Sequence, residues 1–297
     1  MAYKGKRTKK VPIYKQPAFW LAIAATAVIL VLIIWIAVAL STEVFTIRKP
    51  DATEAPVSQT APEETEEPTL PPPPENPYGP VDFDVNQETG EITLTSGNAL
   101  KGIDVSEWQG DIDWQQVKDA GVEFVMIRIG GRGTTEGGLF EDAYAQSYYE
   151  GATAVGLKVG GYIFSQSITV EEAVNEAKFV LGLVKDWDIQ MPLVYDWEYV
   201  DSEARTGKMD SRTLTDMAKA FCDTIKEAGY TPMIYFGRSQ SMDMMYLEEL
   251  VDYSFWLAMY STVMDYPFKV DMWQYTDTGT VPGIAGGVDM NLMFTYE

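Results

Sequence analysis

From residue 101 onward, short runs of continuous or alternating apolar residues are separated by longer stretches in which apolar positions recur every three to four residues. The short runs, at 101–106, 124–130, 158–165, 191–198, 231–237, 255–260, 270–276 and 287–293, predict eight β-strands. The longer stretches, at 114–120, 142–154, 170–184, 211–228 and 239–250, predict amphipathic helices, with Gly121, Gly156 and Gly229 placed to stop them. Parallel strands need crossovers of about a dozen residues or more. The helical stretches supply those crossovers among the first strands, whereas the last three strands follow too closely for full helices. The predicted fold is α/β, an incomplete TIM-like (β/α)5(β)3 barrel whose active site would lie at the C-terminal ends of the strands.

Different patterns precede the barrel. Residues 81–85 and 91–95 alternate on either side of 86–90 and predict a short hairpin within a lead-in at 81–98. Residues 41–80 read as a disordered linker. From 50 to 80 they are rich in Pro, Glu and Thr, carry no basic residue and have polyproline II character around Pro71 to Pro74. Residues 18–40 form an uncharged run of 23, long enough to cross a hydrocarbon core as a helix. Lys4, Lys6, Arg7, Lys9, Lys10 and Lys15 precede that run, and only Arg48 and Lys49 follow it closely. The positive-inside rule then predicts a cytoplasmic tail at 1–17, a single-pass transmembrane helix at 18–40 and an extracellular domain at 99–297. The alternative is secretion after cleavage at Ala37-Val38-Ala39, against which the apolar run is long for a signal peptide.

Charge and composition narrow the chemistry. The net charge is −22; residues 1–49 contribute +7 and 50–80 contribute −7, so 81–297 carry −22. That sign argues against nucleic acid as a partner. The chain contains no histidine, which excludes Ser-His-Asp hydrolysis and His-ligated zinc. The single cysteine, Cys222, sits in a helical apolar pattern with Met217, Phe221 and Ile225 and reads as a small buried residue. Carboxylates are left for acid–base work, with no cofactor and no metal expected.

The strongest carboxylate signal is Leu193-Val194-Tyr195-Asp196-Trp197-Glu198. Alternate strand residues share a face, so Asp196 and Glu198 point the same way from the end of an apolar strand. Crowded acids in poorly hydrated surroundings hold one proton back, the requirement for acid-assisted glycosidic cleavage. A solvated loop start, an ion-pair site or half of a metal cage would give the same local pattern. Asp104 in the first strand and Asp289 in the last would bring four carboxylates to one cavity.

The chain resembles glycoside hydrolase family 25, the lysozymes of bacterial and phage type. The blocks that carry the likeness occur in the family's order: Gly102-Ile103-Asp104-Val105-Ser106-Glu107-Trp108-Gln109-Gly110, Ile112-Asp113-Trp114, Phe124-Val125-Met126-Ile127-Arg128, Gly160-Gly161-Tyr162-Ile163-Phe164-Ser165, Pro192 to Glu198, Trp256-Leu257-Ala258, Trp273-Gln274-Tyr275-Thr276 and Val288-Asp289-Met290-Asn291. The resemblance implies cleavage of the β-1,4 bond between N-acetylmuramic acid and N-acetylglucosamine in peptidoglycan, with overall retention of configuration. It implies Glu198 as proton donor and Asp196 as the second catalytic carboxylate, which attacks the anomeric carbon, stabilises charge there or orients the substrate's N-acetyl group. Asp104 and Asp289 match supporting acids. Tyr162, Tyr235, Trp256, Tyr260, Trp273 and Tyr275 are candidates for stacking on sugar rings, with core packing as the alternative for each; Tyr162 and Trp273 lie in matched motifs near strand ends. Arg128 is a candidate partner for a pocket acid or a member of a structural ion pair. The implied partners are peptidoglycan glycan strands and, through residues 18–40, the cell membrane. The glycine-rich 131–138 lacks a phosphate-loop Gly-Lys-Ser/Thr ending and reads as a mobile loop beside the cleft, not a nucleotide site.

Overall fold

The computed structural model describes residues 70–296. The apolar run at 18–40 and most of the linker lie outside the described residues, and among the described residues no helix is long and apolar enough to cross a membrane.

The lead-in is a two-stranded antiparallel hairpin, β1 (Phe83–Val85) and β2 (Ile92–Leu94), with Phe83 opposite Leu94. Then follow β3 (Asn98–Val105), α1 (Trp114–Asp119), β4 (Phe124–Arg132), β5 (Leu139–Glu141), α2 (Ala145–Ala154), β6 (Lys158–Ser165), α3 (Val170–Leu183), β7 (Leu193–Trp197), α4 (Ser211–Glu227), β8 (Pro232–Gly237), α5 (Arg238–Asp243), β9 (Ser254–Ala258), β10 (Met272–Gly279) and β11 (Val288–Thr295). Neighbouring strands run β3-β11-β10-β9-β8-β7-β6-β4, and β3 also pairs with β4, so the sheet closes into an eight-stranded barrel. All eight expected strands are present. The last is antiparallel to both its neighbours, an orientation the apolar pattern alone did not indicate.

Local chemistry explains the helices. The Thr169 hydroxyl caps α3 by accepting from Glu172 N, and the Asp210 carboxylate caps α4 by accepting from Thr213 N. Along α4, Leu214, Met217, Ala218, Phe221, Cys222 and Ile225 repeat at helical spacing and are buried against the barrel. Gly121, Gly156 and Gly229 follow α1, α2 and α4 with φ of +83°, +73° and +90°, the left-handed geometry that ends a helix without a Cβ penalty. The helix expected over 239–250 is shorter: α5 stops at Asp243, and only a 3-10 turn, Leu247–Glu249, follows. Tyr246 N donates to Thr215 Oγ1 of α4, which takes the backbone out of a helical path.

Two expectations are corrected in part. The glycine-rich 131–138 lies beside the cleft as expected, with Arg132, Gly133 and Thr134 among its lining residues, but it begins as strand, because β4 runs on to Arg132 and pairs antiparallel with β5 as a hairpin. Arg132 pins that hairpin, donating from Nη1 to Gly137 O at 2.7 Å and from Nε to buried Glu176 at 2.6 Å. The linker does not extend to residue 80 as free chain. Asn76 N donates to Pro267 O, Lys269 N donates to Pro74 O, and Tyr78 packs on Phe83, Phe294 and Tyr296, so residues from about Pro73 belong to the folded domain.

Two apolar clusters divide the interior. The larger lies between the outer barrel surface and the helices. The smaller, comprising Phe124, Met126, Met191, Val194, Met233, Trp256 and Met272, fills the barrel itself. Gly102 gives it room: a Cβ there would lie 2.2 Å from Phe124 Cζ.

Candidate active site

Above the methionine-rich floor, the inward face of the strands turns polar and lines a cavity of about 600 Å³. Asp104 closes β3, Arg128 lies in β4, Tyr162 in β6, Asp196 in β7 with Glu198 just beyond it, Tyr235 in β8, Trp256 in β9, Gln274 in β10 and Asp289 in β11, and all of them line this cavity. Asp289 sits near the start of its strand, not the end. It reaches the mouth because antiparallel β11 sets it directly opposite Asp104. The four sequence-predicted acids are therefore brought together.

Asp104 is the most braced of them. Its Oδ2 accepts from Gln274 Nε2 and from Asn291 Nδ2, each at 2.8 Å. Those amides are held in turn: Gln274 Oε1 accepts from Tyr235 and Tyr260 hydroxyls at 2.9 and 3.1 Å, and Asn291 Oδ1 accepts from Trp256 Nε1 at 2.9 Å. Each amide thus has one orientation, and both deliver N–H to the same carboxylate. Burial outweighs these bonds and pushes Asp104 up to about 6. Burial, with the Asp104 charge next, pushes Asp289 up to about 8.

Asp196 is buried, and its Oδ1 has no hydrogen-bond donor among the described residues. Its carboxyl and that of Glu198 line the same cavity, and each influences the other's proton. Asp196 is held well above the usual carboxylate range by burial first and then by the charges of Glu198 and Asp104. Glu198, the most open of the four, is also raised, again chiefly by desolvation of its carboxyl. Among the described residues no cation forms an ion pair with these four acids: the Arg128 charge acts weakly on Asp196, but its Nε donates to Asp142 at 2.7 Å and its Nη2 to Glu107 at 2.9 Å. Both alternatives for Arg128 are present: Glu107 is an acid of the cavity lining, and buried Asp142 makes a structural ion pair. Like charges at such proximity cannot all ionise, so the cavity retains protons that an exposed carboxylate would lose. No group of His, Cys, Asp and Glu side chains among the described residues is arranged to hold a metal ion.

The aromatic candidates separate by strand face. Tyr162, Tyr235 and Trp256 form an inward wall, with Tyr235 edge-on to Trp256 at a centroid distance of 4.9 Å, and Tyr260 stands exposed at the rim. Trp273 and Tyr275 do not face the cavity. They flank inward-facing Gln274 and point to the outer core, where Trp273 packs on Phe83 and donates from Nε1 to Met259 O. Three residues of the site were not singled out from the sequence: Gln274 and Trp108, which line the cavity, and Asn291, which holds Asp104. The spacing Asp289-x-Asn291 carries the same shared-face signal as Asp196-x-Glu198. Trp108 lies in a 3-10 turn at the mouth, 80% exposed, with Glu107 N anchored on Asp142 Oδ2 and Tyr148 OH bonded to Gly110 O. A large aromatic left in water on a fixed turn is a ready stacking surface.

A family model described as glycosyl hydrolases family 25 matches residues 103–284. The autolytic lysozyme of Clostridium acetobutylicum is 26% identical over 196 residues, 65% of this chain and 55% of that protein. Among solved structures, the modular autolysin LytC of Streptococcus pneumoniae, determined in complex with a synthetic peptidoglycan ligand, aligns with a TM-score of 0.60 at 28% identity, covering 71% of this chain and 50% of that one. The bacterial lysozyme of Streptomyces coelicolor aligns with a TM-score of 0.57 at 26% identity, covering 68% of this chain and 94% of that one. The chain thus spans about half the length of the first two relatives.

Proposed function

The chain belongs to glycosyl hydrolases family 25, and on that premise we propose that it is a peptidoglycan hydrolase cutting the β-1,4 bond between N-acetylmuramic acid and N-acetylglucosamine. The observation that carries this reading is the Asp196–Glu198 pair, two carboxyls from one strand end that line the same cavity and are both held above the usual carboxylate range. Glu198 is the proton donor; burial and neighbouring charge favour Asp196 as holder of the proton before substrate enters, and the donor role requires that the proton pass to Glu198 when substrate binds. Its O–H gives the proton to the glycosidic oxygen as the bond from that oxygen to the anomeric carbon breaks, and the sugar end leaves as an alcohol. Asp196, which also lines the cavity, acts on the other side of the reacting carbon, as direct nucleophile, as stabiliser of the developing positive charge or by orienting the substrate's N-acetyl group. Overall retention of configuration follows from the first and third of these roles. Asp104 modulates Asp196 through its charge, and Asp289 stays protonated at neutral pH, able to donate to a sugar oxygen. Trp108 and Tyr260, both exposed at the mouth, supply stacking faces, while Tyr162, Tyr235 and Trp256 shape the inner wall.

The proposed setting is just outside a cell membrane, with residues 18–40 as a retained single-pass anchor and the N-terminus cytoplasmic. Release after cleavage near Ala39 is the alternative.

The test is to incubate the full-length protein with purified peptidoglycan, reduce with borohydride and identify the new ends by mass spectrometry. Reduced muramic acid supports the proposal. Reduced glucosamine ends would keep a glycosidase and overturn the bond assignment; no new ends would leave a glycan-binding module on the same fold.

A further inference from the structure

Glu198 lies beyond the sheet that carries it. The last ladder pairs of β7 are Ser165 with Trp197 on one side and Asp196 with Tyr235 on the other, so the Glu198 carbonyl has no strand partner. A side chain takes that place. Gln166 Nε2 donates to Glu198 O at 2.9 Å and to Ser165 O at 3.0 Å, while Gln166 Oε1 accepts from Thr206 Oγ1 at 2.9 Å. Gln166 and Thr206 are completely buried. On the other flank, Gln240 Nε2 donates to Trp197 O at 2.8 Å. The Gln166 amide can sit only one way round: flipped, its oxygen would face two carbonyl oxygens and the Thr206 hydroxyl would lose its acceptor.

We infer that Gln166, braced by Thr206, is a positioning residue that fixes the Glu198 peptide and thereby aims the Glu198 carboxyl at Asp196 and at the bond to be cut. The inference rests on the reading of Glu198 as proton donor. Its physical basis is leverage: the carboxyl stands at the end of a flexible side chain, so a tilt of the peptide carries it away from the reacting oxygen. Displacement by ~1 Å costs on the order of 10²-fold in rate. Thr206 comes from the long connection between β7 and α4, so the clamp ties that segment to the acid as well.

The test compares variants of the full-length protein on solubilised peptidoglycan fragments, measuring kcat and KM separately across pH. Gln166→Met keeps the length and removes the amide; the expected kcat is about 10²-fold lower with KM little changed, and the pH dependence of kcat shifts because the division of protons between Asp196 and Glu198 changes. Thr206→Val is expected to lose on the order of tenfold in kcat, Thr206→Ser to restore it, and the double variant to be no worse than Gln166→Met alone. A purely space-filling role for Gln166 would lower the melting temperature without moving the pH profile. Wild-type kcat in Gln166→Met, or losses from the two sites that multiply independently, would overturn the inference while Glu198→Gln remains inactive. If Gln166→Met fails to fold, the Thr206 pair decides: equal kcat in Thr206→Val and wild type overturns it. An active Glu198→Gln would instead overturn the proton-donor reading, and this inference with it.

Discussion

The lower and upper halves of the barrel interior are built by the same strands and the same inward face, yet they are chemically opposite. On β4 the inward residues go from Phe124 and Met126 to Arg128, on β7 from Val194 to Asp196, and on β10 from Met272 to Gln274. On β11 the same series runs backwards in sequence, from Asp289 through Asn291 to Met293, because that strand is reversed. A step of two residues, about 6–7 Å along a strand, separates an apolar inward residue from a polar or charged one. The lower half removes water and supplies the low-polarity base on which the upper acids stand. The upper half contributes little apolar packing and keeps its protons because the lower half is dry. One half is there for stability, the other at the expense of it.

Three experiments would break or sharpen that contrast. The largest expected effect is Glu198→Gln, which should lower turnover by ~10²–10⁴ while leaving the melting temperature close to wild type; a large drop in stability would show that the upper half also holds the fold together. Next, Phe124→Ala should cost ~3–5 kcal/mol in denaturant unfolding yet leave kcat per folded molecule near wild type, and a comparable loss of kcat would dissolve the division of labour. The smallest effect concerns pH. Asp289 holds its proton to about 8 when folded, against 3.8 ordinarily, and Asp104 to about 6 against the same reference. Between those limits the folded chain binds more protons than the unfolded one, so this contribution to stability is full below pH 3.8 and is lost as pH rises to about 8. Asp289→Asn removes the upper part of that slope. Its urea midpoint should fall less between pH 6 and pH 8 than that of the wild type, and an unchanged slope would mean that Asp289 ionises like an exposed acid.

Much of the site was legible because it depends on local periodicity. Asp196 and Glu198 share a face by strand geometry, and the apolar run before them marks a buried strand. Gln274 was hidden for the opposite reason. Its strand is buried on both sides, so Trp273 and Tyr275 are as apolar as any inward residue would be, and hydrophobicity does not tell which face is inside. The reversal of β11 had a signal in length: β10 ends at Gly279 and β11 begins at Val288, too short an interval for a parallel crossover. Gly283 and Gly286, with φ of +95° and +91°, lie in that turn.

The sequence by itself determined the eight strands, the helices between the first of them, the glycine stops and the acid pair on β7, since each follows from side-chain spacing along a few residues. Only the tertiary structure decided that Asp289 reaches the mouth and Asn291 holds Asp104, that Trp273 belongs to the outer core, that Arg128 is hydrogen-bonded to Asp142 and Glu107, and that Gln166 and Thr206 stand behind Glu198. These are meetings between residues far apart in the chain. They depend on strand direction, barrel closure and competition for hydrogen-bond partners, which local periodicity does not encode.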